Sequence, residues 1–406
     1  MSKYTITALA VVIFSLSLLS QSSNAQSSQT SEYLWTVGVQ DSLYSTVLQE
    51  NRTFWVHLPG GMDLNEGQRY PVIYLLDGGA LMGGLAAVQE FYNHFRLPEM
   101  IVVGISNASS RTLNLTPSEI ESRHGALVEE SGGAEQFTSF LADELIPMID
   151  SKYPTTSHRV LIGHSYGGLF TINTLVHHSE LFSNYVALDP SLDWDDQRWL
   201  GSALDAIVSS DMKGKGLFVA VANEIIRFSN LLTVDTVSAD TSEFSQGIRS
   251  SLSFIDALES SPPQGLRFNW DFYPQDIHGS IPLVGMRDAL VYLYDFWELK
   301  NPSLYNNPDI PTDTLIALIR AQSQARTENM GYSLPMEEEL LEMLAFMSLD
   351  SGQPEKARAV LSLAAEYYPE SGSLQGSLVD VCLTVEDFLC AETHARMADG
   401  IEGGSV

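Results

Sequence analysis

Among the residues of this 406-residue chain, the group best spaced for chemistry is Gly163-His164-Ser165-Tyr166-Gly167. A G-x-S-x-G pattern alone carries little weight, because serine and glycine are common. Here it follows the apolar run 160–162 and precedes a helix-period stretch over 169–178. Strand, sharp turn and helix are what a nucleophile elbow needs. Gly163 and Gly167 permit backbone crowding there, and the helix N-terminus behind Ser165 favours developing negative charge. The chemistry implied is acyl transfer through a serine nucleophile. The plainer reading of the same residues is a tight turn in which serine caps a helix.

A serine hydroxyl needs a base. The chain has nine histidines. His164 adjoins the serine but points away from it at an elbow, into a packed position. His177 and His178 fall at the end of the following helix, His57 in an early strand pair and His94 shortly before Pro98. His278, in Asp276-Ile277-His278-Gly279-Ser280, follows the strand-like run 268–273, where such a base belongs. The orienting acid is expected between them, after the run 217–222, which makes Glu224 the leading choice; Asp235 and Asp240 stay open, as does a dyad lacking an acid. Asp276 is too near His278 in sequence for an easy side-chain approach. An oxyanion would be held by the backbone amides of Tyr166 and of Gly79, the latter in Leu76-Asp77-Gly78-Gly79.

These residues need a sheet to hold them. Short, nearly continuous apolar runs at 71–76, 100–105, 159–162, 185–188, 217–222 and 268–273 read as buried strands of a mostly parallel sheet. Helical stretches alternate with them, the clearest carrying Phe137, Phe140, Leu141, Leu145, Met148 and Ile149 on one face. Ahead lie alternating segments 43–50 and 53–59, separated by Asn51-Arg52, which read as an antiparallel pair. The fold class expected is α/β, of the α/β-hydrolase plan, over residues 36–300.

A turn-rich break with three prolines follows Lys300. Residues 301–330 read as linker and helix, and 331–400 as an all-helical, tetratricopeptide-like region. Leu344, Gly352, Ala357, Tyr368 and Pro369 have that spacing, and Leu378 and Ala391 repeat two of them 34 positions on. In the second copy Glu386 stands where Gly352 predicts glycine. One and a half repeats cannot bury their own faces, so packing on the preceding domain is expected, and a protein partner or self-association through the tail is open.

Residues 1–25 have the form of a secretory leader: Lys3, an apolar stretch over 6–19, and small residues before a cleavage site after Ala25. A flexible segment over 26–35 follows, and the chain is expected in the periplasm or outside the cell, with no stable membrane anchor. With 21 Lys+Arg against 51 Asp+Glu the net charge is −30, which disfavours nucleic acid as a partner. Cys382 and Cys390 can pair in an exported chain; their spacing is not that of a metal site, and neither a metal nor a cofactor is called for.

Several motifs in order resemble the esterase family of α/β-hydrolases that includes siderophore (enterobactin) esterases, feruloyl esterases, S-formylglutathione hydrolases and mycolyltransferases. They are Tyr70-Pro-Val-Ile-Tyr-Leu-Leu-Asp-Gly78, Leu97-Pro-Glu-Met-Ile-Val-Val-Gly-Ile105, Arg111 with Leu115-Thr-Pro117, Gly163-His-Ser-Tyr-Gly-Gly168 and His278-Gly-Ser280. The resemblance covers about residues 40–300 and is nearest to siderophore-esterase-like members with a helical repeat tail. It implies hydrolysis of a small-molecule carboxylic ester, with Ser165 and His278 at the catalytic positions and the Gly79 amide at the oxyanion. The chain departs from the family where Asn114 precedes Leu115-Thr-Pro117 and where Asp189, not serine, precedes Pro190-Ser191. Acyl transfer to a sugar or lipid hydroxyl would use the same residues; a catalytically inert protein that binds a partner through its helical tail is the other alternative.

Overall fold

A computed structural model describes residues 37–60, 62, 68–93, 96–107, 110–305 and 307–403. The expected leader, the segment 26–35 and His94 lie outside the described residues. Eight strands form one sheet in the order β1-β2-β4-β3-β7-β8-β9-β10. They are β1 (Val39–Ser45), β2 (Glu50–His57), β3 (Tyr70–Leu75), β4 (Ile101–Ile105), β7 (Thr155–His164), β8 (Asn184–Leu188), β9 (Gly216–Ala222) and β10 (Arg267–Tyr273). Strands β5 (Ser122–Arg123) and β6 (Ala126–Leu127) form a separate small hairpin.

Every one of the six apolar runs becomes a strand of this sheet, and from β4 to β10 all pairings are parallel. β3, β4, β8 and β9 are buried along their whole length, because helices cover both faces. Those helices are α1 (Gly78–Tyr92), the short α2 (Arg111–Leu115), α3 (Ala134–Phe140), α4 (Ile146–Lys152), α5 (Tyr166–His177), α6 (Arg198–Val208), α7 (Gln246–Ser260) and α8 (Ile281–Leu293). Between α3 and α4 a π-helical turn over Leu141–Leu145 keeps Phe137, Phe140, Leu141, Leu145 and Ile149 all inside.

The antiparallel pair forms with its turn earlier than the sequence suggests. Asn51 and Arg52 lie inside β2, paired with Tyr44 and Leu43, and the turn falls at 46–49. The Glu144 carboxylate, reaching over from the π-helical turn, accepts hydrogen bonds from the Thr46 and Val47 amides and from the Ser45 and Thr46 hydroxyls. Arg52 is buried against Glu50 and the Phe137 ring. A long-range carboxylate thus sets the turn, and no local pattern reports it.

The C-terminal region is helical: α9 (Thr312–Met330), α10 (Glu338–Asp350), α11 (Pro354–Tyr367), α12 (Gly372–Thr384) and α13 (Phe388–Gly403). α12 and α13 begin 34 positions after α10 and α11, and Leu344, Ala357, Leu378 and Ala391 are all buried between helices. Gly352 joins the first pair in the left-handed region at φ 73°, and Glu386 joins the second at φ 60°. A β-carbon in that conformation crowds the following carbonyl. Cys382 and Cys390 are bonded to each other across this second pair.

The tail docks through α9 onto the edge of the sheet where the parallel strands begin. Arg326 sits 4.2 Å from the centre of the Trp297 ring and donates to the Trp297 carbonyl. Arg267, first residue of β10, donates to Asn329. His158, near the start of β7, meets the Met330 carbonyl through Nδ1 at 3.3 Å. That contact requires a proton on Nδ1, so Nε2 accepts from the Tyr294 hydroxyl and the Asn184 amide, each at 3.1 Å. Burial, with Arg267 and Lys215 nearby, drives the His158 pKa down to about 4, so the ring is neutral in the fold.

Two expectations follow. Glu386→Gly relieves the left-handed strain and raises stability by about 1 kcal/mol, read as an upward shift in urea midpoint; an unchanged or lower midpoint contradicts this. His158 binds fewer protons folded than unfolded, so acidification from pH 6.5 toward 4 weakens the fold by up to about 1.4 kcal/mol per unit. Urea unfolding at pH 6.5 and 5 measures the loss, and His158→Gln should flatten it.

Candidate active site

The elbow rests on the tight packing of β7 against α5. Ser165 has φ 62° and ψ −118°, a conformation that L-residues seldom adopt, at the junction of strand and helix. A β-carbon on Gly163 would overlap the Gly167 carbonyl, and one on Gly168 would come within 2.9 Å of the Pro190 Cα. Gly167 has ordinary clearance, so the second glycine that packing demands is Gly168, just outside the pentapeptide. The Ser165 amide donates to the Leu188 carbonyl and the Ser191 amide to the Ser165 carbonyl, tying the elbow to the turn after β8.

That turn carries a carboxylate in contact with His278. Asp189 Oδ2 lies 2.5 Å from His278 Nδ1, and its Oδ1 accepts from the Ala222 amide at 3.0 Å. Asp189 itself is at φ 41°, which swings its side chain across the end of β9 toward the loop after β10. A carboxylate on Nδ1 fixes the imidazole tautomer and leaves Nε2 as the basic edge. Glu224, the acid expected from sequence, is at the site in a different position: Oε1 accepts the main-chain N–H of His278 at 2.7 Å, and its other oxygen pairs with Arg227. With that oxygen on the backbone amide, Glu224 steadies the loop while Asp189 meets the ring. Asp240 is engaged with Ser242 and Ser245, and Asp276 with Ser280.

The Asp189 signal was present in the sequence as an Asp-Pro directly after a buried strand and as a departure from the family's serine. The expected acid is Glu224 because in this plan the acid usually follows the next strand. The parallel order explains why either position can reach: β8 and β9 lie side by side between β7, which ends at the nucleophile, and β10, which leads to His278.

A second cluster holds the other wall. Asp77, at φ 53° before α1, receives two hydrogen bonds from Arg111, at 2.9 and 2.8 Å. Arg111 also donates to the His164 carbonyl at 3.1 Å, and the Asp77 amide donates to Asn107. The start of α1, with Gly79 in its first turn, is thereby tied to the end of β7. Tyr166 opens α5, so both expected oxyanion amides belong to first helical turns, whose N–H groups lack intrahelical acceptors.

Ser165 Oγ lies 3.4 Å from Ser191 Oγ. At the following residue, Tyr166, opens a groove of about 670 Å³, lined in part by Arg111, Arg123, His124, Leu127, Glu130 and Tyr166 itself. The Tyr166 ring lies between the guanidinium groups of Arg111 and Arg123, at 5.3 and 5.1 Å, with Trp194 edge-on. Asp193 pairs with Arg123 through both oxygens, which anchors the β5–β6 hairpin at the rim. His164 lies 4.4 Å from His278 between ring centres.

Residues 45–215 match the protein-family model described as "Putative esterase". The chain is similar to the ferri-bacillibactin esterase BesA of Bacillus subtilis, 32% identical over 36% of this chain and 56% of that protein. It is also similar to the siderophore triacetylfusarinine C esterase of Aspergillus fumigatus, 31% identical over 31% of this chain and 45% of the relative. The chain thus spans about half the length of these curated relatives. Among solved structures, an IroE-like serine hydrolase from Shewanella oneidensis superposes with a TM-score of 0.67 at 28% identity. That match covers 81% of this chain and 99% of the neighbour, which is more than residues 37–300 can supply, so it includes helices of the tail. An uncharacterised protein from Capnocytophaga ochracea, 16% identical with a TM-score of 0.62, shares the fold over 89% of this chain and 93% of its own. The two solved structures share a mostly parallel α/β sheet and a helical C-terminal region with this chain.

Proposed function

We propose that this protein is a serine esterase that cleaves a small-molecule carboxylic ester through an acyl-enzyme, and that its substrates belong to the siderophore class. The observation that carries the reading is the Asp189 carboxylate 2.5 Å from His278 Nδ1, on the turn that also holds the Ser165 elbow. A solvated loop histidine has no need of a largely buried carboxylate; a general base that must become cationic in the transition state does.

In the first step Ser165 Oγ attacks the ester carbonyl as its proton passes to His278 Nε2. The resulting imidazolium is stabilised by Asp189, and the tetrahedral oxyanion by the Tyr166 and Gly79 amides. Collapse breaks the carbon–oxygen bond, and the alcohol leaves with the proton from His278. Water, deprotonated by the same imidazole, then attacks the acyl-serine, and collapse releases acid and free Ser165. The residues need neither metal nor cofactor for these steps.

The siderophore assignment is supported by the activities of the relatives, and by a groove lined by the Tyr166 ring together with Arg111 and Arg123, which suits an aromatic or anionic acyl group. The helix pairs of the tail, in 34-residue register, support a tetratricopeptide-like repeat. Export is supported by the leader-like residues 1–25 and by the Cys382–Cys390 disulfide, a bond that persists in oxidising compartments. Among the described residues no helix is long and apolar enough to cross a membrane.

Hydrolysis of p-nitrophenyl acetate tests the mechanism. Ser165→Ala should abolish turnover above background, and retention of the wild-type rate would sink the esterase reading. Asp189→Asn should lower kcat by about 10⁴-fold, as loss of a triad acid does. Glu224→Gln, which keeps an oxygen acceptor for the His278 amide, should cost less than about tenfold. The reverse ranking would return the acid role to Glu224.

A further inference from the structure

The residue before the nucleophile has a task that its place in the pentapeptide does not reveal. His164 closes β7, and its ring turns away from Ser165, as an elbow requires. The packed position it enters is the face of His278: the ring centres are 4.4 Å apart and the planes 40° from parallel. The His164 imidazole also lies in polar contact with the His278 main chain. Its own carbonyl is held by Arg111, which in turn is fixed on Asp77, so the ring stands on a braced segment.

Around His278 the hydrogen bonds leave the flat face of the ring, and His164 packs against it. Asp189 constrains the Nδ1 edge, and Glu224 constrains the main-chain N–H. Neither stops the imidazole from tilting about the Asp189 hydrogen bond, because one hydrogen bond at one edge leaves that rotation soft. A surface against the flat face of the ring does stop it. We propose that His164 is a positioning residue for the general base: its ring is the floor that keeps the His278 imidazole aligned between Asp189 and the nucleophile. This inference rests on the esterase reading above.

The charge of the floor matters, since the base becomes cationic during the reaction. The charged and titratable groups facing His164 are His278, Asp189 and Arg111. Burial, reinforced by the positive charges of His278 and Arg111, lowers its pKa to about 4. Among the described residues its Nε2 has no hydrogen-bond partner and is closed to solvent. The floor therefore stays neutral throughout the range in which an esterase base works, and presents a polarisable face to the imidazolium without repelling it. What is required at this position is a flat, uncharged ring.

The test compares His164→Ala and His164→Phe on p-nitrophenyl acetate, with the rate of fluorophosphonate labelling at Ser165 as a second readout. His164→Ala should lower kcat by about 10- to 100-fold with KM within about twofold, the pattern of a misplaced catalytic group. Labelling should slow by the same factor. His164→Phe restores the flat face without a titratable group, and should return kcat to within about threefold of wild type. Wild-type kcat in His164→Ala, or an equal fall in folded His164→Phe, would overturn the inference. Should His164→Ala fail to fold by circular dichroism, the Phe variant decides alone: kcat near wild type upholds the role, and a loss beyond about tenfold removes it. Ser165→Ala separates the two claims. Retained activity there refutes the esterase reading, whereas an inactive Ser165→Ala beside a fully active His164→Ala refutes only the role of His164.

Discussion

The contact on which the site depends is the hydrogen bond between the Asp189 carboxylate and the His278 imidazole. It joins loops 89 residues apart in sequence, and it can form only because parallel pairing sets the ends of β7, β8, β9 and β10 along one edge. Asp189 also accepts the Ala222 amide, so the carboxylate closes the end of β9 while it holds the His278 ring. A short bond between a mostly shielded carboxylate and a half-exposed ring is costly to assemble, and the surrounding structure over-determines it. The left-handed backbone at Asp189, the strained Ser165 and the tie from Ser191 to the Ser165 carbonyl all belong to one rigid corner.

Around that corner the remaining braces have a common logic. Arg111 joins Asp77 to the end of β7, Glu224 holds the His278 main chain, and Arg123 fastens the rim hairpin to Asp193. Each is a charged group with more than one hydrogen-bond partner atom: both Asp77 oxygens and the His164 carbonyl for Arg111, the His278 amide and Arg227 for Glu224, and both Asp193 oxygens for Arg123. In a chain of net charge −30, cations are scarce, and several of them are placed where they brace the edge that carries Ser165 and His278. The tail is bound at the opposite edge, through Arg326, Arg267 and His158 near the beginnings of the parallel strands. Its docking and the chemistry are thereby spatially separate.

Much was legible in the linear chain. Apolar runs of four to six residues identified six strands of the sheet, most clearly β3, β4, β8 and β9, since a strand covered on both faces is apolar at nearly every position. The elbow was legible because strand, glycine, serine and helix are local neighbours, and the 34-residue register of the tail because helix pairs repeat locally. Glu386 at a left-handed junction was legible as an anomaly: a glycine position occupied by another residue.

Tertiary structure decided the rest. Whether the carboxylate after β8 or after β9 meets His278 depends on two backbone turns and a few ångströms of reach, and no periodicity reports either. Glu144 set the first turn from across the fold, which moved Asn51 and Arg52 into a strand. His164, a residue the pattern treats as variable, meets the His278 ring only because the loop after β10 reaches the end of β7. Residue type and spacing determine which elements form and which side chains can react, because those are local properties. Which side chains meet is settled by the packing of strands far apart in sequence, because a hydrogen bond responds to distance and angle in space.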